Sequence, residues 1–150
     1  VQARGGVLKN MTYDKVGSTI MIYFGAVNGH LDDPVRAAQA ALAIRDLTAG
    51  FEPLEFDGTQ VRVEGRIGLA YGPAFAAEIG EPRGRREFNL LGDVVNTAAR
   101  LMAYGQGAEI LINAALAERI ASHCACTPLG PVALKGKAVP LSVYSLDHEL

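Results

Sequence analysis

The stretch from Gly92 to Gly107 constrains the folding of this chain more than any other. Val94, Val95, Ala98, Leu101 and Met102 recur at helical spacing behind Asp93, so they form one apolar stripe with an acidic N-cap. Gly105 and Gly107 predict where that helix stops. An apolar stripe has to be buried, and the runs on either side of it read as strands that can bury it. Residues 61–70 alternate apolar with polar or small side chains, and residues 74–79 form a second run beyond the Gly72-Pro73 turn. A charged loop over 81–86 leads towards the helix. After it come a short strand at 109–112, a helix over 113–122, and a last pair of strands at 128–137 and 141–146.

The N-terminal third fits the same plan. Gly5-Gly6 opens a strand-like run from Val7 to Tyr13, and Asp14-Lys15-Val16-Gly17 carries turn residues. Residues 18–24 are β-branched or aromatic and predict a buried strand, which makes the two runs a hairpin. Asp32-Asp33-Pro34 is a helix start, followed by Val35, Ala38, Leu42 and Ala43 at helical spacing, fading near Gly50. The resulting order, ββαββαβαββ, predicts an α+β fold: a mainly antiparallel sheet with helices packed on one face. The 150 residues make one domain with room for a hydrophobic core.

Composition removes several function classes. A net charge of −2 argues against a nucleic-acid binder, which presents a basic face. No apolar run approaches the roughly 18–20 residues that span a bilayer. Residues 1–10 lack a basic segment followed by an apolar core, so no signal peptide is expected, and a cytoplasmic location is. Cys124 and Cys126, the only cysteines, have poor zinc spacing even with His123 beside them. They read as reduced thiols.

Asn96 and Arg100 are four apart and share one face of the Asp93 helix, away from the apolar stripe. An amide beside a guanidinium suits a sugar and a phosphate, because the planar fork of Arg offers several fixed donors. Taken alone, the pair also describes an ordinary solvated helix face. Its context is more specific. The run Phe88-Asn89-Leu90-Leu91-Gly92-Asp93-Val94-Val95-Asn96-Thr97-Ala98-Ala99-Arg100-Leu101 closely resembles the signature of class III adenylyl and guanylyl cyclase catalytic domains. Three further stretches resemble that family in the same order. They are Lys15-Val16-Gly17-Ser18 through Phe24-Gly25, Arg66 through Gly72, and Leu134-Lys135-Gly136-Lys137 before Val143-Tyr144.

The resemblance implies a ferredoxin-like βαββαβ core and a set of roles. Asn96 would orient the ribose and Arg100 would stabilise charge on the α-phosphate. Lys135 would hold the terminal phosphates, and Asn89 would face the purine edge, joined by Lys15. The implied reaction is attack of the ribose 3′-oxygen on the α-phosphorus of ATP (or GTP), expelling pyrophosphate. It uses two Mg²⁺ or Mn²⁺ ions. Lys15 carries a conflict of register. The family's purine-reading lysine lies four before the position of Ser18, where this chain has Asp14. One step in a strand turns the side chain to the other face, whereas a turn or bulge absorbs the shift.

The chain departs from the family at the metal aspartates. No Phe-x-Asp-ϕ-x-Gly-Phe run occurs, so the first strand is expected to be missing from residues 1–150. The second aspartate position, six residues before Phe24, holds Ser18. A neutral hydroxyl is a weak ligand for a hard divalent cation. Asp14 is out of register by four. The expectation is therefore the substrate-orienting half of an adenylyl cyclase, with no metal ligands of its own. It would be inactive alone and would work in a homo- or heterodimeric arrangement with a second cyclase domain that holds both ions. The alternative is a catalytically inactive cyclase-like module that binds a nucleotide or a partner. A diguanylate cyclase is excluded by the absence of a Gly-Gly-Asp/Glu-Glu-Phe turn.

Overall fold

A computed structural model describes residues 1–15, 17–84 and 86–150, with the backbone alone at Arg86 and Glu87. Val16 of the expected turn and Arg85 of the expected 81–86 loop lie outside the described residues. After a single 3₁₀ turn, the elements are β1 (Val7–Asp14), β2 (Gly17–Tyr23), α1 (Asp33–Ala49), β3 (Leu54–Phe56), β4 (Thr59–Val61) and β5 (Ile67–Leu69). They continue with β6 (Phe75–Gly80), β7 (Arg86–Leu91), α2 (Asp93–Tyr104), β8 (Ile110–Asn113), α3 (Ala114–Ile120), β9 (Cys124–Val132) and β10 (Leu141–Glu149).

Among the described residues the central sheet has four strands in the order β5–β8–β10–β9. β5 runs parallel to β8, and the other two ladders are antiparallel. The pleat of β8 sorts its side chains between two clusters. Ile110 and Ile112 pack with Ala38, Ala41 and Leu42 of α1 and with Leu116, Ala117 and Ile120 of α3. Leu111, between them, joins Leu101 of α2, Val132, Leu134 and Val143. The fold is thus α+β, with helices on a mainly antiparallel sheet. α1 and α3 share one face, and α2 adds a layer across the other. That layer depends on Gly68 of β5: a Cβ there would come within 2.2 Å of the Ala98 carbonyl oxygen and 2.4 Å of the Met102 nitrogen. Only a residue without a side chain lets the helix lie this close to the strand.

Several local expectations change. The alternating run over 61–70 is not one strand; it contributes the end of β4 and the three residues of β5. β6 pairs with β7, not with β5, because the chain after the 81–86 loop extends as a strand up to Leu91. β2 was expected to be buried, yet only Tyr23 is, and its ladder partner is β1. α1 begins at the expected place, but the Asp32 carboxylate makes no cap bond and instead accepts from Arg36 Nε at 2.8 Å. No helix among the described residues is long and apolar enough to cross a membrane.

Candidate functional site

α2 carries the site's polar face. Asp93, Asn96 and Arg100 stand three and four residues apart, so they align on one side, and Asn96 and Arg100 are exposed. The opposite side is anchored by Leu101, which is fully buried. Thr97 is buried as well, and its hydroxyl donates to the Asp93 carbonyl at 3.0 Å. Asp93 was expected to cap this helix. Gly92 occupies the cap position instead and Asp93 makes no side-chain cap bond. Its carboxylate forms an ion pair with Lys137.

That ion pair brings the β9–β10 connection to α2. Lys137 N–H donates to the Leu134 carbonyl at 3.1 Å, closing a turn over residues 134–137. Leu134 is buried under α2 and fixes one end of the turn. Gly136 has φ +79°, a conformation that favours glycine. A Cβ at Gly136 would lie 3.7 Å from Arg100 Nη2, so the guanidinium rests against this turn. Lys135, at the apex, is exposed. The structure therefore gathers Arg100, Lys135 and Lys137 at one place, with Asn96 one turn further along the same helix.

Asn89 lies on β7, half-buried and opposite Ala77, in the strand that runs through Gly92 into α2. The hairpin of β1 and β2 touches this strand through Tyr23. Burial raises the pKa of the Tyr23 hydroxyl, against a smaller lowering from a hydrogen bond with the Leu90 backbone. Lys15 stands at the exposed hairpin tip, and among the described residues no hydrogen bond or ion pair joins it to α2 or to the 134–137 turn. Asp14 and Gly17 face each other across that tip, and the Asp14 carboxylate accepts from Gly17 N–H at 3.1 Å. Ser18 is exposed opposite Tyr13.

The donors here suit anions. Arg100 and Lys135 offer N–H groups to phosphate, and Asn96 offers both a donor and an acceptor to a sugar. A divalent cation needs several oxygen ligands in one place. Among the described residues, no three His, Cys, Asp or Glu side chains come together in that way. Asp14 is engaged in its turn, and Ser18 brings no charge. These residues do not fit a dication pair.

Sequence reasoning passed over Lys137 as a separate group. The signal was available in the repeated lysine of Lys135-Gly136-Lys137, but spacing alone does not say which lysine is exposed and which is paired.

The mouse atrial natriuretic peptide receptor 2 is 31% identical over 141 residues, which is 91% of this chain and 13% of the receptor, so the chain spans only a small part of that relative. The guanylate cyclase domain of RhGC from Catenaria anguillulae, solved with GTP, superposes with a TM-score of 0.81 at 24% identity over 99% of this chain and 76% of that one. The adenylyl cyclase CyaB from P. aeruginosa superposes with a TM-score of 0.76 at 25% identity, over 97% and 74%. The family model for the adenylate and guanylate cyclase catalytic domain matches residues 9–148, and the chain belongs to that family.

Proposed function

We propose that this domain is the substrate-orienting half of an adenylyl cyclase, converting ATP to cyclic AMP and pyrophosphate at an interface with a second cyclase domain. The observation that carries this reading is the meeting of Arg100 with the Lys135–Gly136–Lys137 turn on the exposed face of α2. Two cations from distant parts of the chain converge there beside an amide. In this reading Arg100 donates to the α-phosphoryl oxygens as the ribose 3′-oxygen bonds to the α-phosphorus and the bond to the pyrophosphate oxygen breaks. Asn96 holds the ribose so that its 3′-oxygen lines up. Lys135 grips the terminal phosphates, and Asn89, joined by Lys15, reads the purine. The two Mg²⁺ or Mn²⁺ ions of the reaction are assigned to the partner domain, because the residues around Ser18 and Asp14 do not suit them.

The test is complementation. Alone with ATP and Mn²⁺, the chain is expected to show no turnover above background. Paired with a cyclase domain carrying both metal aspartates, it is expected to produce cyclic AMP. In that assembly Arg100→Ala lowers kcat by roughly 10²–10³, the cost of one preorganised transition-state donor, while KM changes less. Asn96→Ala behaves similarly. Lys135→Ala raises KM more than it lowers kcat, since it holds phosphates already charged in the ground state. An unchanged kcat in Arg100→Ala would make the Asn96–Arg100 face ordinary solvated helix surface and sink the proposal.

A further inference from the structure

The 134–137 turn carries two lysines with different surroundings. Lys135 is exposed. The Lys137 side chain is 15% exposed and ion-paired with Asp93, whose own side chain is 81% exposed. A lysine that covers its stem and spends its charge on a carboxylate is poorly placed to hold a second anion. The turn between the two lysines is held at both ends. Leu134 is sunk into the cluster under α2 beside Leu101, and Lys137 is tied to the first residue of the same helix. Between these anchors the backbone turns at Gly136, against which the Arg100 guanidinium rests. The clamp therefore joins one helix to one turn at the point where their cations meet.

Resting on the substrate-orienting reading above, we propose that Lys137 is a positioning residue. Through its ion pair with Asp93 it clamps the 134–137 turn to α2, so that Lys135 and Arg100 face one phosphate-bearing ligand. It does not itself grip phosphate. A partly exposed pair of this kind contributes modestly, so the effect of breaking it is a matter of geometry more than of stability.

The sign of one substitution separates this from simple charge counting. Removing the Asp93 carboxylate from a cationic site tightens anion binding if only Coulomb's law operates. The clamp gives the opposite result, because the turn loosens. The probes are inorganic tripolyphosphate and ATP, titrated against the full chain. Asp93→Asn and Lys137→Met are each expected to weaken binding about two- to fivefold. The double variant is expected to lose no more than either single one, since both break the same pair. Lys137→Arg is expected to retain binding. Both charge-removing variants are expected to speed hydrogen exchange of the backbone amide at position 137, relative to its intrinsic rate, since its bond to the Leu134 carbonyl closes the turn. Tighter binding in Asp93→Asn together with weaker binding in Lys137→Met makes Lys137 a phosphate ligand and overturns the proposal. Unchanged amide exchange in either variant overturns it too. If the unaltered chain binds neither probe, even when paired with a cyclase domain carrying both metal aspartates, the nucleotide reading fails on its own. The exchange comparison then still decides the clamp, with faster exchange in both variants supporting it.

Discussion

Replacing Gly68 by alanine tests whether the layer that carries the site sits where the structure puts it. The added Cβ would lie 2.2 Å from the Ala98 carbonyl oxygen, 2.4 Å from the Met102 nitrogen and 3.0 Å from the Met102 Cα. All three atoms are helix backbone, so no rotamer change relieves the contact, and α2 has to lift off β5. Inserting a methylene into a packed core costs about 1–3 kcal/mol when side chains can adjust. A clash against backbone belongs at or beyond the top of that range, so about 3 kcal/mol or more is expected. For a domain of this size that corresponds to a fall in Tm of roughly 6–12 °C. Gly65, three residues earlier, supplies the control. A Cβ there meets only the Thr48 side chain, at 3.7 Å and beyond. Gly65→Ala should therefore leave Tm within a degree or two or raise it slightly through the unfolded state. Thermal melts of the two variants followed by circular dichroism decide the matter. A Gly68→Ala protein melting with the unaltered chain would refute the close crossing of α2 over β5, and with it the placement of Asn96 and Arg100.

Asn113→Ala removes an N-cap bond to Leu116 N–H at 3.2 Å and two bonds to the Tyr71 backbone at 3.1 and 3.0 Å, so urea unfolding should show a loss of about 2 kcal/mol. Burial pushes the Cys124 and Cys126 thiols up, with Glu149 adding to the first, and with Cys124 and then Asp147 adding to the second. The folded state thus keeps their protons longer than the unfolded state. Their contribution is whole below the unfolded thiol range of about 8.5 and is lost as pH rises through the folded values. Tm measured from pH 7.5 to 10 should fall less steeply in Cys124→Ala than in the unaltered chain, and parallel curves would refute the assignment. Competition between ATP and GTP in the complemented enzyme should give ATP the higher kcat/KM; a higher value for GTP overturns the purine assignment.

Much of the fold was legible because its signals are local. The stripe from Val94 to Met102 and the Asp32-Asp33-Pro34 start depend on neighbours in sequence, and both helices stand where those signals put them. Strand partners were not legible. Periodicity assigns a residue to a face of a strand and says nothing about which strand lies beside it, so the runs at 61–70 and 74–79 gave no sign that β6 pairs with β7. One hairpin had a usable signal that went unread. Asp57 and Gly58 join β3 to β4 with φ of 50° and 75°, the two positive values that Asp-Gly supplies to a tight hairpin turn. The exposure of β2 was invisible for a different reason. A β-branched run reports that a strand forms, and its burial depends on what else covers it.

The site divides along the same line. Asn96 and Arg100 share one face of α2, as their four-residue spacing predicts, and their expected roles came from the resemblance of the run around them. Lys135 and Lys137 belong to a turn, where spacing carries no such rule. Their difference arises from a contact with Asp93, far away in sequence, and sequence reasoning had already assigned Asp93 to a helix cap. A carboxylate at a helix start has two competing uses, a bond to its own backbone or a bond to a distant cation. The second wins here because Leu134, buried under Leu101, brings Lys137 within reach at the cost of ordering one turn. The same core contact that stabilises the β9–β10 connection thus decides which of two identical side chains is left exposed.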